Sequence, residues 1–117
     1  MNHLEELGKR AVACKHWKWM DGMLLVSGLR VGSYAMDGHG YAVDLKVNES
    51  DLPDLDDPAT IGCIMHILEE IYGVGVFLHV DEDGYWMCIQ MIDWAAEPIS
   101  EGTSRAQVLR KALEAAP

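Results

Sequence analysis

Asp57–Pro58 is a strong helix start: a capping carboxylate, then proline at the first helical position, where its missing N–H removes no hydrogen bond. Gly73, backed by Gly75, stops the helix, so the spacing predicts a helix over 58–72. Its only polar residues are Thr60, His66, Glu69 and Glu70, and the last three fall on one narrow stripe. A helix apolar over the rest of its circumference must be buried on most sides, within the fold or across a subunit contact. The other elements therefore have to pack around it. A homodimer is compatible with that helix and with the seven methionines of the chain.

The flanking sequence supplies those elements. Asn2 is a cap for a first helix, Glu5 completes a capping-box-like pair, and Leu4, Leu7, Ala11 and Cys14 fall on one face before an end near Lys15. Met23 to Val31 reads as a strand interrupted by Gly28 and continuing through Tyr34 to Met36. Asp37–Gly38 and Gly40 mark a turn, after which Tyr41, Val43, Leu45 and Val47 alternate as in a half-buried strand, giving a hairpin. The acidic stretch 48–57, with Pro53, is a loop. Beyond the central helix, Val76 to Val80 alternates as a third strand, Glu82-Asp83-Gly84 turns, and Tyr85 to Ile92 forms a fourth, with Pro98 closing the region. A last helix begins at Thr103 or Ser104, with Ala106, Leu109, Leu113 and Ala116 on one face and Arg105, Gln107, Arg110, Lys111 and Glu114 on the others. The expected fold is α+β in the order α-β-β-α-β-β-α: a four-stranded, mainly antiparallel sheet with packed helices. A chain of 117 residues has room for one core, hence a single domain over 1–117.

Charge is distributed very unevenly. Nineteen acidic and nine basic side chains leave a net charge of −10. Residues 47–104 hold thirteen of the acids and not one Lys or Arg. Those carboxylates must face water, pair with the basic ends of the chain, or meet a basic partner. Direct nucleic-acid binding is disfavoured over this stretch, because phosphate contacts need Lys or Arg. The one place where basic and aromatic residues interleave is Lys15-His16-Trp17-Lys18-Trp19, a patch too small to carry that function alone. Cys14, Cys63 and Cys88 are odd in number and form no CxxC, and the charged N-terminus is no secretion signal, which fits free thiols in a cytoplasm. The longest apolar runs fall far short of a bilayer span, so no membrane role is expected.

No constellation announces a reaction. Cys63 and His66 share a helix face at metal-ligand spacing but lack a second ligand pair. The cluster Asp51, Asp54, Asp56 and Asp57 fits no EF-hand register. His79 and Asp81 share a strand face without a nucleophile or oxyanion donor in view. There is no P-loop, GxGxxG or GxSxG. The expectation is a non-enzymatic protein with no cofactor and no metal.

Three stretches carry a likeness to a known group: Ala11 to Met20 (AVACKHWKWM), Pro53 to Cys63 (PDLDDPATIGC), and Gly102–Thr103 with the tail Leu109 to Pro117. They resemble small proteins of unassigned function from bacteriophages and prophages, of the phage alpha-beta-alpha sandwich type. The resemblance implies a viral accessory protein in a host cytoplasm, and it brings no catalytic residues. Together with the charge pattern it points to binding a host or phage protein with a basic surface, such as a host defence component to be inhibited. The acidic surface expected to do this comprises Asp54, Asp56, Asp57, Glu69, Glu70, Asp81, Glu82 and Asp83. The alternative is a binder or sequestering protein for a small, nucleotide-type ligand, using Lys15, Lys18, Arg105 and Arg110 with Trp17 or Trp19.

Overall fold

A computed structural model describes residues 3–32, 34–36, 42–44 and 47–117, with the backbone alone at 34–36 and 42–44. The fold is α+β. The helices are α1 (His3–Val12), α2 (Pro58–Tyr72) and α3 (Arg105–Ala115), and the strands are β1 (Tyr34–Met36), β2 (Ala42–Asp44), β3 (Val76–Val80), β4 (Trp86–Ile92) and β5 (Ala95–Gly102). β1 and β2 pair antiparallel as a hairpin, while β3, β4 and β5 form a separate three-stranded antiparallel sheet in that spatial order. The single four-stranded sheet expected from the sequence is therefore not what the described residues form. The Asn2 cap and the Asp37–Gly38 turn lie outside the described residues.

α2 forms where its ends dictate. Asp57 accepts the Thr60 N–H, Pro58 opens the first turn, and Gly73 closes it at φ 72°, donating its N–H to the Glu69 carbonyl. Thr60, Ile61, Ile64, Ile67 and Leu68 form its buried stripe. α3 starts on the Ser104 cap and buries Ala106, Val108, Leu109, Ala112 and Leu113; Arg110 is buried with them rather than solvated. α3 packs on β4 and β5, α2 packs on β3 and α3, and α1 packs on α3. Val76, Cys88, Leu78, Trp86 and Ile99 of the sheet join the resulting core.

Two readings of the sequence are corrected. Met23 to Val31 is not a strand: it folds back on itself, Leu25 N–H reaching the Leu29 carbonyl at 2.7 Å and Val31 N–H the Met23 carbonyl at 2.7 Å. Gly28, at φ 99°, makes that reversal sterically free. Second, the chain continues after β4 into β5. The two-residue connection Asp93–Trp94 has positive φ at both positions, the geometry that matches the twist of paired strands. Pro98 is tolerated because β5 is an edge strand, and a bulge at Ile99 lets that side chain join the core.

α1 meets the 52–53 segment by close backbone approach. A Cβ on Gly8 would lie 2.7 Å from the Pro53 carbonyl oxygen. Ala is favoured over Gly inside a helix by about 1 kcal/mol, but crowding a backbone atom costs about 1–3 kcal/mol. Gly8→Ala is therefore expected to lower the unfolding free energy by roughly 1 kcal/mol in urea titrations, against the direction that helix propensity alone gives.

Candidate functional site

The acidic residues fall into two groups at opposite ends of α2. Arg105 follows Gly102, which pairs with Trp86 beside the β3–β4 turn, and it reaches Asp56 just before α2 (Nε–Oδ1 3.2 Å). The start of α2 and the β3–β4 turn thus share one end of the molecule, bringing Asp54, Asp56 and Asp57 to the same end as Asp81, Glu82 and Asp83. Glu69 and Glu70 lie at the other end of α2, about 20 Å away at helical rise.

Several of these carboxylates hold the fold together. Asp57 accepts two hydrogen bonds from Arg30 (3.0 and 3.2 Å) and caps α2, and its oxygen also takes the Thr60 hydroxyl at 3.1 Å. Thr60 in turn accepts the Leu24 N–H at 2.8 Å, so a buried polar chain ties the 22–31 loop to the helix start. Hydrogen bonding from Arg30 holds the Asp57 carboxyl below the usual carboxylate range, with Thr60 adding to it against the opposing effect of burial. Glu70 pairs with Lys18 (2.9 Å) and His66 (2.8 Å), and these partners lower its pKa, Lys18 most. Asp54 accepts the Asp56 N–H, and Asp81 accepts the N–H groups of Asp83 and Tyr85, each bond being 2.9 Å; both are local turns held by a short acidic side chain. Glu69 receives the Val76 N–H at 3.5 Å.

Of the thirteen carboxylates in 47–104, three (Asp56, Asp57 and Glu70) are thus paired by Arg105, Arg30 and Lys18. Among the described residues the other ten enter no ion pair. Glu82 and Asp83 are exposed at the tip of the β3–β4 turn.

The sheet contributes a second feature that the sequence reading did not single out. β4 reads WMCIQMI, apolar at both parities, which is the pattern of a strand covered on two sides. Both helices lie on one side only. The register places His79, Met87 and Glu101 in one row of the opposite face, Phe77, Ile89 and Pro98 in the next, and Met91 with Ala96 in a third. None of these eight residues belongs to the core or packs against it, and Phe77 is 51% exposed. Just beyond the Ile92–Ala95 pair, Trp94 sits at φ 67° and 98% exposed.

The remaining candidates find structural explanations. Trp17 and Trp19 pack partly against the core and edge-to-face on each other, centroids 5.3 Å apart, leaving little ring surface for base stacking. Cys63 Sγ lies 3.6 Å from the Asp21 carbonyl while His66 engages Glu70; among the described residues no group of three or more His, Cys, Asp and Glu is placed to hold a metal. Burial pushes the Cys88 thiol up to about 11, so it is an unreactive core residue. A cleft of about 490 Å³ opens between α1 and α3, lined by Arg10, Cys14, Lys15, Leu113 and Glu114 among others. Of the four cations considered for a small anionic ligand, only Lys15 lines it; Lys18 and Arg105 are bound elsewhere and Arg110 is held by Glu114. No helix among the described residues is long and apolar enough to cross a membrane. No family model, curated protein or solved structure matches this chain.

Proposed function

We propose that this chain is a non-enzymatic binding protein that engages a partner with a basic surface through its unneutralised carboxylates. The observation that carries this reading is the ion-pair census. In a stretch of thirteen acids without a Lys or Arg, three are paired by cations from elsewhere among the described residues. Carboxylates left in this state steer and orient a cationic partner and disfavour like-charged ones. The resemblance to bacteriophage proteins suggests the setting, a host defence component whose arginines normally hold nucleic acid and are occupied instead by these side chains.

The structure refines which of the eight candidate residues to test. Asp54, Asp57 and Asp81 hold a turn or a cap, and replacing them would confound binding with stability. Glu82 and Asp83 are exposed and their side chains make no hydrogen bond or ion pair among the described residues. The double change Glu82→Lys with Asp83→Lys is expected to weaken capture of the partner from host lysate by roughly tenfold, mainly through slower association. About 0.5 M salt should release the bound partner, since exposed charges separated by more than a few ångströms are screened there. Capture indifferent both to salt and to this charge reversal would reject the reading.

A further inference from the structure

The face of the β3–β4–β5 sheet away from the helices, which no described element packs on, has the composition of an interior and the rim of an anion. At its centre lie Phe77 of β3 and Met87, Ile89 and Met91 of β4, four large apolar side chains on two adjacent strands. An antiparallel sheet that ends at water normally alternates polar residues outward, and this one does not. Carboxylates border the patch: Glu101 in the row of Met87, Asp81 to Asp83 at one end of the sheet, and Asp93 at the other. None of them is ion-paired among the described residues.

Trp94 is an independent observation. A two-residue connection with positive φ at both positions is usually filled by Asn and Gly. A bulky side chain there is strained, and a tryptophan fully in water gains nothing from burial to offset the strain. Its placement beside the apolar face is that of an anchor presented to something outside the molecule, since tryptophan is the residue most enriched among dominant interface contacts.

We infer that this face, with Trp94 at its corner, is a docking surface for a cationic amphipathic α-helix of a partner protein. The inference rests on the reading above that the partner is basic, and adds where and in what shape it binds. Charge complementarity selects the occupant. A second copy of this chain would bring the same carboxylates against one another, whereas a helix with an apolar stripe flanked by Lys and Arg meets both the centre and the rim. Size agrees. The outer strands of a three-stranded sheet lie about 10 Å apart, close to the diameter of one helix with its side chains. Met87 and Met91, unbranched and polarisable, can adjust to the helix that arrives.

The test is calorimetric titration of the full chain with a synthetic leucine–lysine peptide patterned as an amphipathic helix, against a scrambled peptide of the same composition. The helical peptide should bind and the scrambled one should not. Phe77→Ser and Trp94→Gly should each weaken binding by about tenfold or more. Trp94→Gly removes the backbone strain, so it should melt at or above the parent temperature, and its loss of binding cannot then be ascribed to unfolding. Equal binding of the two peptides, or binding that survives either substitution, overturns the docking surface. If binding is insensitive to Phe77→Ser and Trp94→Gly but falls with Glu82→Lys and Asp83→Lys, the sheet face is wrong and the acidic-surface reading stands. Two further results would also overturn the proposal. One is self-association abolished by Phe77→Ser, which assigns the face to a second copy. The other is binding to neutral phosphatidylcholine vesicles through Phe77 and Trp94, which assigns it to lipid.

Discussion

Asp57→Ala is expected to lower the unfolding free energy by about 3 kcal/mol at neutral pH. The carboxylate performs three jobs that one substitution removes together. It caps the α2 N-terminus, a contact worth about 1 kcal/mol. It accepts both Arg30 hydrogen bonds, and with its own side chain only 10% exposed that pair is less screened than a surface bridge. It also accepts the Thr60 hydroxyl, which fixes the oxygen that receives the Leu24 N–H. Asp57→Asn keeps an acceptor for the cap and loses the charge, so roughly half the loss should remain. The sign of the pH dependence follows from the depressed folded-state pKa. Its contribution is complete above the unfolded carboxyl value near pH 4, and is lost as pH falls through the lower folded value. Chemical denaturation from neutral pH downward should therefore show the deficit of Asp57→Ala shrinking in acid. A deficit that stays constant into strong acid would mean that the Arg30 pair contributes nothing.

How much of this was legible depends on how local each signal is. The α2 boundaries were readable because cap, proline and terminal glycine act on their immediate neighbours. β3 was readable from period-two alternation, and β4 from the turn before it, where Gly84 reverses the chain at φ 78°. β5 was hidden by Glu97 and Pro98, which belong to loops by composition and to an edge strand here, and by a hairpin connection that contains no glycine. The Met23 to Val31 segment misled for the opposite reason: its apolar content suggested a strand, while Gly22, Gly28 and Gly32, all at positive φ, bend it into a compact loop. Asp57 was identifiable as a cap, yet its Arg30 partner, like Lys18 for Glu70 and Arg105 for Asp56, comes from far along the chain, where no spacing rule reaches. The sheet face away from the helices left a signal in β4, apolar at every position but Gln90. That signal could be interpreted only once both helices were known to occupy the same side.

A buried cation makes the second large effect. Arg110 of α3 is 8% exposed, donates from Nη1 to Glu114 at 3.1 Å, and leaves its buried Nε without a partner. Arg10 of α1 meets the same carboxylate through Nε at 3.0 Å and Nη2 at 3.1 Å, but its own side chain is 53% exposed. The two bridges look alike on paper and should behave very differently. Arg10→Ala removes a screened surface contact and should cost no more than about 0.5 kcal/mol. Glu114→Ala strands the Arg110 guanidinium in the α1–α3 contact with its neutralising charge gone, a situation that costs about 3–5 kcal/mol when fully buried. Because Glu114 is itself 33% exposed and water can take part of its place, about 3 kcal/mol is expected. Replacing both partners tests the cause. Arg110→Met with Glu114→Leu keeps volume, removes the charge that needs solvating, and should recover parent stability or exceed it. Urea midpoints for the three variants decide the matter. If Glu114→Ala falls no further than Arg10→Ala, or the double variant stays as unstable as Glu114→Ala, then the carboxylate acts by packing α1 on α3 and not by neutralising Arg110.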